Sequence, residues 1–228
     1  MNQGNVALRE REAEIIVTER TWDGREVEYK EKRVYSFIKR AFDITASLLA
    51  LILLSPLFLI VMLLIFVTDP GNPFFVQQRA GKDCKMFNIY KFRSMHKDAE
   101  KRKKDLLIHN EADGPTFKIE NDPRITKIGS FIRKTSIDEL PQLINILKGE
   151  MSVIGPRPFI PSEQEKLPSQ RLLVKPGLSC YWQIGGKNSL PVEEQLELDF
   201  KYIEDRSVLT DLKIIFKTVA IVFKNDNY

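Results

Sequence analysis

Two cysteines and two histidines in 228 residues leave little room for thiol or metal-cluster chemistry. Cys84 and Cys180 form no Cys-x-x-Cys pair, and His96 and His109 are not at ligand spacing. A structural zinc site and a disulfide framework are therefore not expected. Free thiols beside a basic face suit the cytoplasm. The chain also lacks a G-x-x-x-x-G-K-[ST] loop, a G-x-G-x-x-G fingerprint and a G-x-S-x-G elbow. It is thus neither an ordinary nucleotide triphosphatase nor a Rossmann dehydrogenase. Gly185-Gly186-Lys187-Asn188 is too short to serve as a phosphate loop. Internal repeats and low-complexity tracts are missing too, and 43% hydrophobic with 29% charged residues excludes wholesale disorder.

What is present is an uneven charge and one long apolar run. The net charge of +4 is mild, but Lys30, Lys32, Arg33, Lys39 and Arg40 face a single acid, Glu31. Arg79, Lys82, Lys85, Lys91 and Arg93 follow the run, then Lys101 to Lys104 without an acid among them. Basic clusters on both flanks of an apolar segment read as contacts to anionic lipids. Aromatics are not interleaved with them as a nucleic-acid stacking platform requires, so no nucleic-acid partner is expected.

The run from Ile44 to Val67 carries no charge, and as helix it would cover about 36 Å at ~1.5 Å per residue, enough to span a bilayer. Ser55-Pro56 interrupts it in the middle, where proline removes a helix hydrogen bond. Two basic flanks also conflict with the one-sided bias of a simple span. The expectation is a re-entrant helix broken at Ser55 and Pro56, with the Ser55 hydroxyl bonding a carbonyl freed by Pro56; a kinked single-pass helix is the alternative. The run lies too far from Met1 to be a cleaved signal peptide.

Elsewhere the pattern predicts a peripheral arm over residues 1–33, with a hairpin signal at Asp23-Gly24, and an interfacial lead-in from Val34 to Arg40. Phe74–Arg79 and Lys85–Arg93 read as short strands, Ser94–Asn110 as a charged helix, and Asp122-Pro123-Arg124 as a turn. Leu140, Leu143, Ile144 and Leu147 recur at i, i+3, i+4 and i+7, predicting a helix over Asp138–Lys148 stopped by Gly149. Gly155-Pro156-Arg157-Pro158 is a rigid loop. Leu212, Ile215, Phe216, Val219, Val222 and Phe223 form an apolar stripe with Lys213, Lys217 and Lys224 off it. That stripe fits an amphipathic helix in a membrane interface or a terminal helix packed on the core.

Candidate chemistry centres on Asp138 and Glu139. Ser136 and Glu139 match an S-x-x-E capping box, which accounts for the glutamate but not for Asp138 or the basic pair Arg133 and Lys134. A helix start favours phosphate binding and would lower the pKa of Asp138, keeping it ionised as a nucleophile or metal ligand. Diphosphate chemistry needs charge neutralisation, for which Arg93, Arg133 and Arg157 are candidates.

Taken together these blocks strongly resemble the monotopic phosphoglycosyl transferases, a family of bacterial sugar transferases. The resemblance runs from about Val34 to Phe223. It rests on Lys39-Arg40-Ala41-Phe42-Asp43, Ser55-Pro56, Gln78-Arg79-Ala80-Gly81, Lys91-Phe92-Arg93-Ser94-Met95, Asp122-Pro123-Arg124-Ile125-Thr126, the stretch Arg133 to Gln142, Gly155-Pro156-Arg157-Pro158 and Lys175-Pro176-Gly177-Leu178. It implies an α+β, mostly helical protein with a re-entrant membrane helix (residues 34–68), amphipathic interfacial helices and a catalytic domain (69–228) on the cytoplasmic face of the bacterial cell membrane. The implied reaction moves a sugar-1-phosphate from a UDP-sugar to polyprenyl phosphate, releasing UMP, in the first membrane step of exopolysaccharide, capsule or other glycoconjugate assembly. By the resemblance Asp138 is the nucleophile, Glu139 assists it, both hold Mg²⁺, and Lys91, Arg93, Arg133 and Arg157 bind substrate. Membrane lipids and downstream glycosyltransferases are the further expected partners. The sequence departs from the family pattern at Ser179-Cys180-Tyr181 and at Gly185-Gly186-Lys187, where Lys187 cannot make the bidentate contact of the usual arginine. The several-helix N-terminal membrane domain of larger relatives is absent, the expectation being a small form. A non-catalytic assembly scaffold and a nucleotide-sugar hydrolase are the competing functions.

Overall fold

The computed structural model describes residues 27–103, 105–106, 108, 119, 121–185 and 190–224, the side chains of 103 and 222–224 excepted. The expected hairpin at Asp23-Gly24, Lys187, and the Val222 and Phe223 side chains lie outside the described residues. Helices α1 (Arg33–Leu53) and α2 (Ser55–Thr68) lead into the antiparallel hairpin β1 (Phe74–Ala80) and β2 (Met86–Phe92). Then come α3 (Ala99–Lys103), α4 (Lys127–Lys134), a 3₁₀ turn Ile137–Glu139, α5 (Gln142–Lys148) and β3 (Ser152–Ile154). After α6 (Pro161–Gln164), β4 (Gly177–Ser179) pairs in parallel with β3, and α7 (Tyr181–Gly185), α8 (Val192–Asp205) and α9 (Val208–Lys224) close the chain. The protein is α+β and mostly helical, as the resemblance implied.

The apolar run forms α1 and α2, bent by 61° at Leu54. No single described helix is long and apolar enough to cross a membrane. Pro56 cannot donate to the Ile52 carbonyl, and the Ser55 hydroxyl donates to that oxygen instead at 2.8 Å. The polarity of α1 is inverted relative to a water-facing helix. Asp43 and Ser47 are buried against the protein, whereas Phe37, Leu48, Leu49, Ile52 and Leu53 are exposed. Arg40 donates to the Ile146 and Leu147 carbonyls at the end of α5, and Asp43 accepts from Ser152 Oγ and Val153 N. Val61 and Ile65 of α2 pack with Phe92 and Ile132. Both arms therefore lie along one body, with Leu59, Ile60, Leu63, Leu64 and Val67 facing out.

Two sequence expectations change. Ser94–Asn110 is not one helix: Met95 pairs with Ile125 in a bridge, His96 N–H donates to Arg124 O, and Thr126 N–H to Ser94 O. These long-range backbone bonds hold residues 94–96 extended, and within the described part only Ala99–Lys103 is α-helix. Asp122-Pro123-Arg124 does turn, held by the Arg124–Asp122 ion pair at 2.5 Å. The helix expected from Asp138 starts at Gln142, one residue after Pro141. Its buried face is Gln142, Leu143, Asn145 and Ile146, leaving Leu140, Ile144 and Leu147 half-buried. Gly149, at φ 83°, ends it as expected, because a left-handed residue there meets no Cβ penalty. Helix α9 takes a middle course: Asp211 and Ile214 face the core while Leu212, Phe216 and Val219 remain exposed.

Because packing along both arms fixes the bend, Pro56→Ala is expected to leave it in place. Spin labels at Ile38 and Phe66 should keep their separation, and a distance approaching the about 42 Å of a continuous helix would show that the proline alone sets the angle.

Candidate active site

The acid pair sits on a strained corner. Ser136 takes a left-handed conformation (φ 56°) after α4, turning the chain into the 3₁₀ turn that carries Asp138 and Glu139. The capping box does not form. Ser136 caps nothing with its side chain, and the Glu139 carboxylate reaches across to Lys91 Nζ at 2.6 Å and Arg157 Nη2 at 3.5 Å. Glu139 thus bridges the 3₁₀ turn to β2 and to the proline loop.

That loop is held through its backbone. Gly155 N–H donates to Ser179 O, and Gly177 N–H to Pro156 O, where a Cβ on Gly177 would collide with the Gly155 backbone. Arg171 Nη2 donates to Arg157 O at 2.7 Å, and Arg79 Nη1 to Pro158 O at 3.1 Å. Arg171 is itself fully buried, paired with Asp199 at 2.6 Å, bonded to Gln164 Oε1 at 2.9 Å and placed 4.4 Å over the Phe159 ring. The result presents the Arg157 guanidinium to Glu139 on one side and to the Trp182 ring, 5.9 Å away, on the other.

Arg79, Lys91, Glu139, Gln142 and Arg157 line one small cavity. Burial pushes Arg79 down to about 10, with the like charge of Arg157 adding to it. Burial also opposes ionisation of Glu139, yet Lys91 and Arg157 outweigh it and hold that carboxyl well below the usual range. Asp138 moves the other way: burial, with the negative charge of Glu139, lifts it above the usual carboxylate range against the attraction of Lys91, Arg133 and Arg157. The expectation that a helix start would lower Asp138 is therefore corrected, since a three-residue turn has little dipole and desolvation dominates. The groups acting on Asp138 among the described residues do so through charge and burial, with no hydrogen bond among the causes.

Of the residues singled out in the sequence, Lys91, Arg157, Asp138 and Glu139 come together. Arg133 donates to Ser94 Oγ at 2.9 Å, and its charge acts on Asp138. Arg93 does not line this cavity; its guanidinium bonds Asp69 at the end of α2. Arg79 and Arg171 were not singled out as site residues. Arg79 stands in a recognised block, Gln78-Arg79-Ala80-Gly81, but nothing local in the sequence marks Arg171. No group of three metal-ligating side chains occurs among the described residues. The carboxylate pair fits Mg²⁺, which binds through one or two carboxylates and completes its shell with water and substrate phosphates.

Because Arg171 has no other counter-charge among its bonded partners, Asp199→Ala is expected to cost about 3–5 kcal/mol of stability. Denaturant titration of the detergent-solubilised protein checks this, and a loss under about 1 kcal/mol would remove the pair from its anchoring role.

A profile described as bacterial sugar transferase matches residues 34–225. The chain is 47% identical over 190 residues to the galactosyl transferase CpsE of Streptococcus agalactiae, an alignment covering 81% of this chain and 42% of the relative. It is 41% identical over 206 residues to the undecaprenyl-phosphate galactose phosphotransferase of Salmonella typhimurium, covering 86% of this chain and 42% of that protein. The exopolysaccharide production protein ExoY of Sinorhizobium fredii is 41% identical over 191 residues, with 81% and 84% covered. The chain thus spans less than half the length of the first two relatives and most of the third. Matched over most of its own length, the chain belongs to the bacterial sugar transferase family.

Proposed function

We propose that this chain transfers a sugar-1-phosphate from a UDP-sugar to polyprenyl phosphate and releases UMP, opening exopolysaccharide, capsule or other glycoconjugate assembly at a membrane. The observation that carries the reading is the acid pair in a cavity-side setting of three cations: Glu139 is held by Lys91 and Arg157, with Arg79 behind them, while Asp138 feels its charged neighbours among the described residues without a hydrogen bond to them. Excess positive charge beside a free carboxylate suits attack on a diphosphate. The relatives' names add a nucleotide sugar and a lipid carrier. One from Aeromonas hydrophila, 39% identical over 198 residues, is named a UDP-N-acetylgalactosamine-undecaprenyl-phosphate N-acetylgalactosaminephosphotransferase.

On this reading the two acids take different parts. Asp138, the more basic of the two and without a hydrogen bond to the described charged groups around it, is the better nucleophile once ionised. Its oxygen attacks the sugar-proximal phosphorus, the bond from that phosphorus to the bridging oxygen breaks, and UMP leaves with the electron pair. A polyprenyl phosphate oxygen then attacks the same phosphorus, the bond to Asp138 breaks, and the carboxylate is restored. Glu139 orients Lys91 and Arg157 on the phosphates, and Arg133 adds charge beside Asp138. Magnesium held by Asp138 and Glu139 would supply further charge neutralisation at the donor phosphates. The Arg93–Asp69 contact fixes the exit of α2 next to the hairpin that carries Lys91.

The outward apolar faces of α1 and α2 are read as a re-entrant element in one leaflet. Lys39 and Arg40 on the entering flank bond Asp211 and the end of α5, and Asp69 on the leaving flank bonds Arg93. Flanks tied to one body favour a common side of the bilayer, the cytoplasmic one, over a kinked single pass. The exposed stripe of α9 is read as an interfacial contact to membrane lipids.

Membrane-embedded protein with Mg²⁺ should release UMP from one member of a UDP-sugar panel only when polyprenyl phosphate is present. UMP accompanied by free sugar phosphate would instead mean hydrolysis. Asp138→Asn should reduce turnover at least about 10³-fold while the protein still inserts in the membrane; near-normal turnover in that variant would sink the nucleophile assignment.

A further inference from the structure

The stretch that leaves β2 meets the acid-pair corner at two points. Lys91, near the end of the strand, reaches the Glu139 carboxylate, and Ser94, three residues on, accepts from Arg133 Nε at 2.9 Å. Between them Arg93 turns away to Asp69. Ser94 is buried, and its backbone is fixed: Thr126 N–H donates to Ser94 O at 3.1 Å, and Met95 pairs with Ile125. Gly129 lets α4 close on this segment, since a Cβ there would collide with Ser94 O. Arg133 lies one turn further along α4 on the same face, so its guanidinium reaches Ser94 Oγ. The Arg133 carbonyl accepts from Ser136 N–H at 3.0 Å, which ties the arginine to the left-handed corner before Asp138. Backbone and side chain of Arg133 are thus held from two directions.

We propose that Ser94 is a positioning residue for phosphoryl transfer: by accepting from Arg133 Nε, its hydroxyl aims the Nη1–Nη2 edge of that guanidinium at the phosphoryl group Asp138 attacks. This deepens the transferase reading above and rests on it. A guanidinium gripped at Nε still presents its two Nη groups as a fork, the geometry that holds two phosphate oxygens at once. An arginine side chain has several rotatable bonds, and ordering them in advance lowers the cost of gripping a ligand. The neutrality of the anchor matters as much as its place. Lys91 and Arg157 are held by a carboxylate that also offsets their charge, whereas Ser94 holds Arg133 without neutralising it. The charge of Arg133 is accordingly felt at Asp138.

The test is a cycle of Ser94→Ala and Arg133→Met, alone and together. UMP release from a UDP-sugar panel is read in membrane-embedded protein with Mg²⁺ and polyprenyl phosphate. Calorimetry on the detergent-solubilised protein gives the affinity for inorganic pyrophosphate, and a melting curve gives the thermal midpoint. Ser94→Ala should lower both kcat/KM for the donor and pyrophosphate affinity about 10- to 100-fold at a near-parental midpoint. In the Arg133→Met background the same substitution should change either by less than about 2-fold, because the group it positions is gone. Ser94→Thr, which keeps the hydroxyl, should recover most of the loss. Equal losses in both backgrounds, or none in either, would overturn the proposal, since Ser94 would then act independently of Arg133 or not at all. A lowered midpoint with unchanged affinity and rate would overturn it too, leaving the bond a matter of the fold alone. A parent that binds pyrophosphate but releases no UMP would refute the UDP-donor reading alone, with the pyrophosphate cycle still deciding Ser94. A parent that does neither refutes both.

Discussion

A single carboxylate holds the site together. Glu139 stands on a 3₁₀ turn, its ammonium partner Lys91 on β2, its guanidinium partner Arg157 on the proline loop, and Arg79 on β1 acts on it from behind. Alone, the three cations would repel one another in a half-buried space; around one anion they become a preorganised cluster. Glu139 neutralises only part of that charge, and the remainder is what a diphosphate can use. Strain at Ser136 is tolerated because the corner it makes is fixed on both sides, by α4 before it and by the Glu139 contacts after it.

The same economy of anchors governs the bent helix pair. Helix α1 turns its polar residues inward, where Arg40 caps α5 and Asp43 accepts from the start of β3. Helix α5 follows the acid pair directly, and β3 runs directly into the Arg157 loop. The helix that carries the exposed apolar face is therefore bolted to the two segments that position the chemistry, with no linker between. If α1 and α2 enter a leaflet as proposed, the depth of their apolar face would also set the height of Asp138 above it.

Local pattern made some of this legible. The break at Ser55-Pro56, the two strands of the hairpin, the stop at Gly149 and the Gly155–Pro158 loop all follow from nearest-neighbour backbone rules. Where long-range partners compete with a local rule, the rule loses. Ser136 and Glu139 have capping-box spacing, but a glutamate facing Lys91 and Arg157 gains more from two cations than from one backbone N–H. Residues 94–96 look helical by charge pattern, yet their backbone is taken by residues 124–126. Arg171 illustrates the limit: its partners Asp199, Gln164 and the Arg157 carbonyl are separated in sequence by 7 to 28 positions, and no motif announces them.

Two adjacent acids in one setting could be redundant, and the structure explains why they are not. Both are removed from water, which raises both, but only Glu139 is compensated by direct contacts. One of its oxygens, Oε1, is engaged by both Lys91 and Arg157, which lowers its basicity. Asp138, one residue away, feels the same cations only at a distance and feels Glu139 as a like charge. The environment thus separates a fixed, weakly basic carboxylate from a free, more basic one. The two-step displacement proposed above would use both kinds: one group that bonds to phosphorus and lets go, and one that keeps the cations in place while it does.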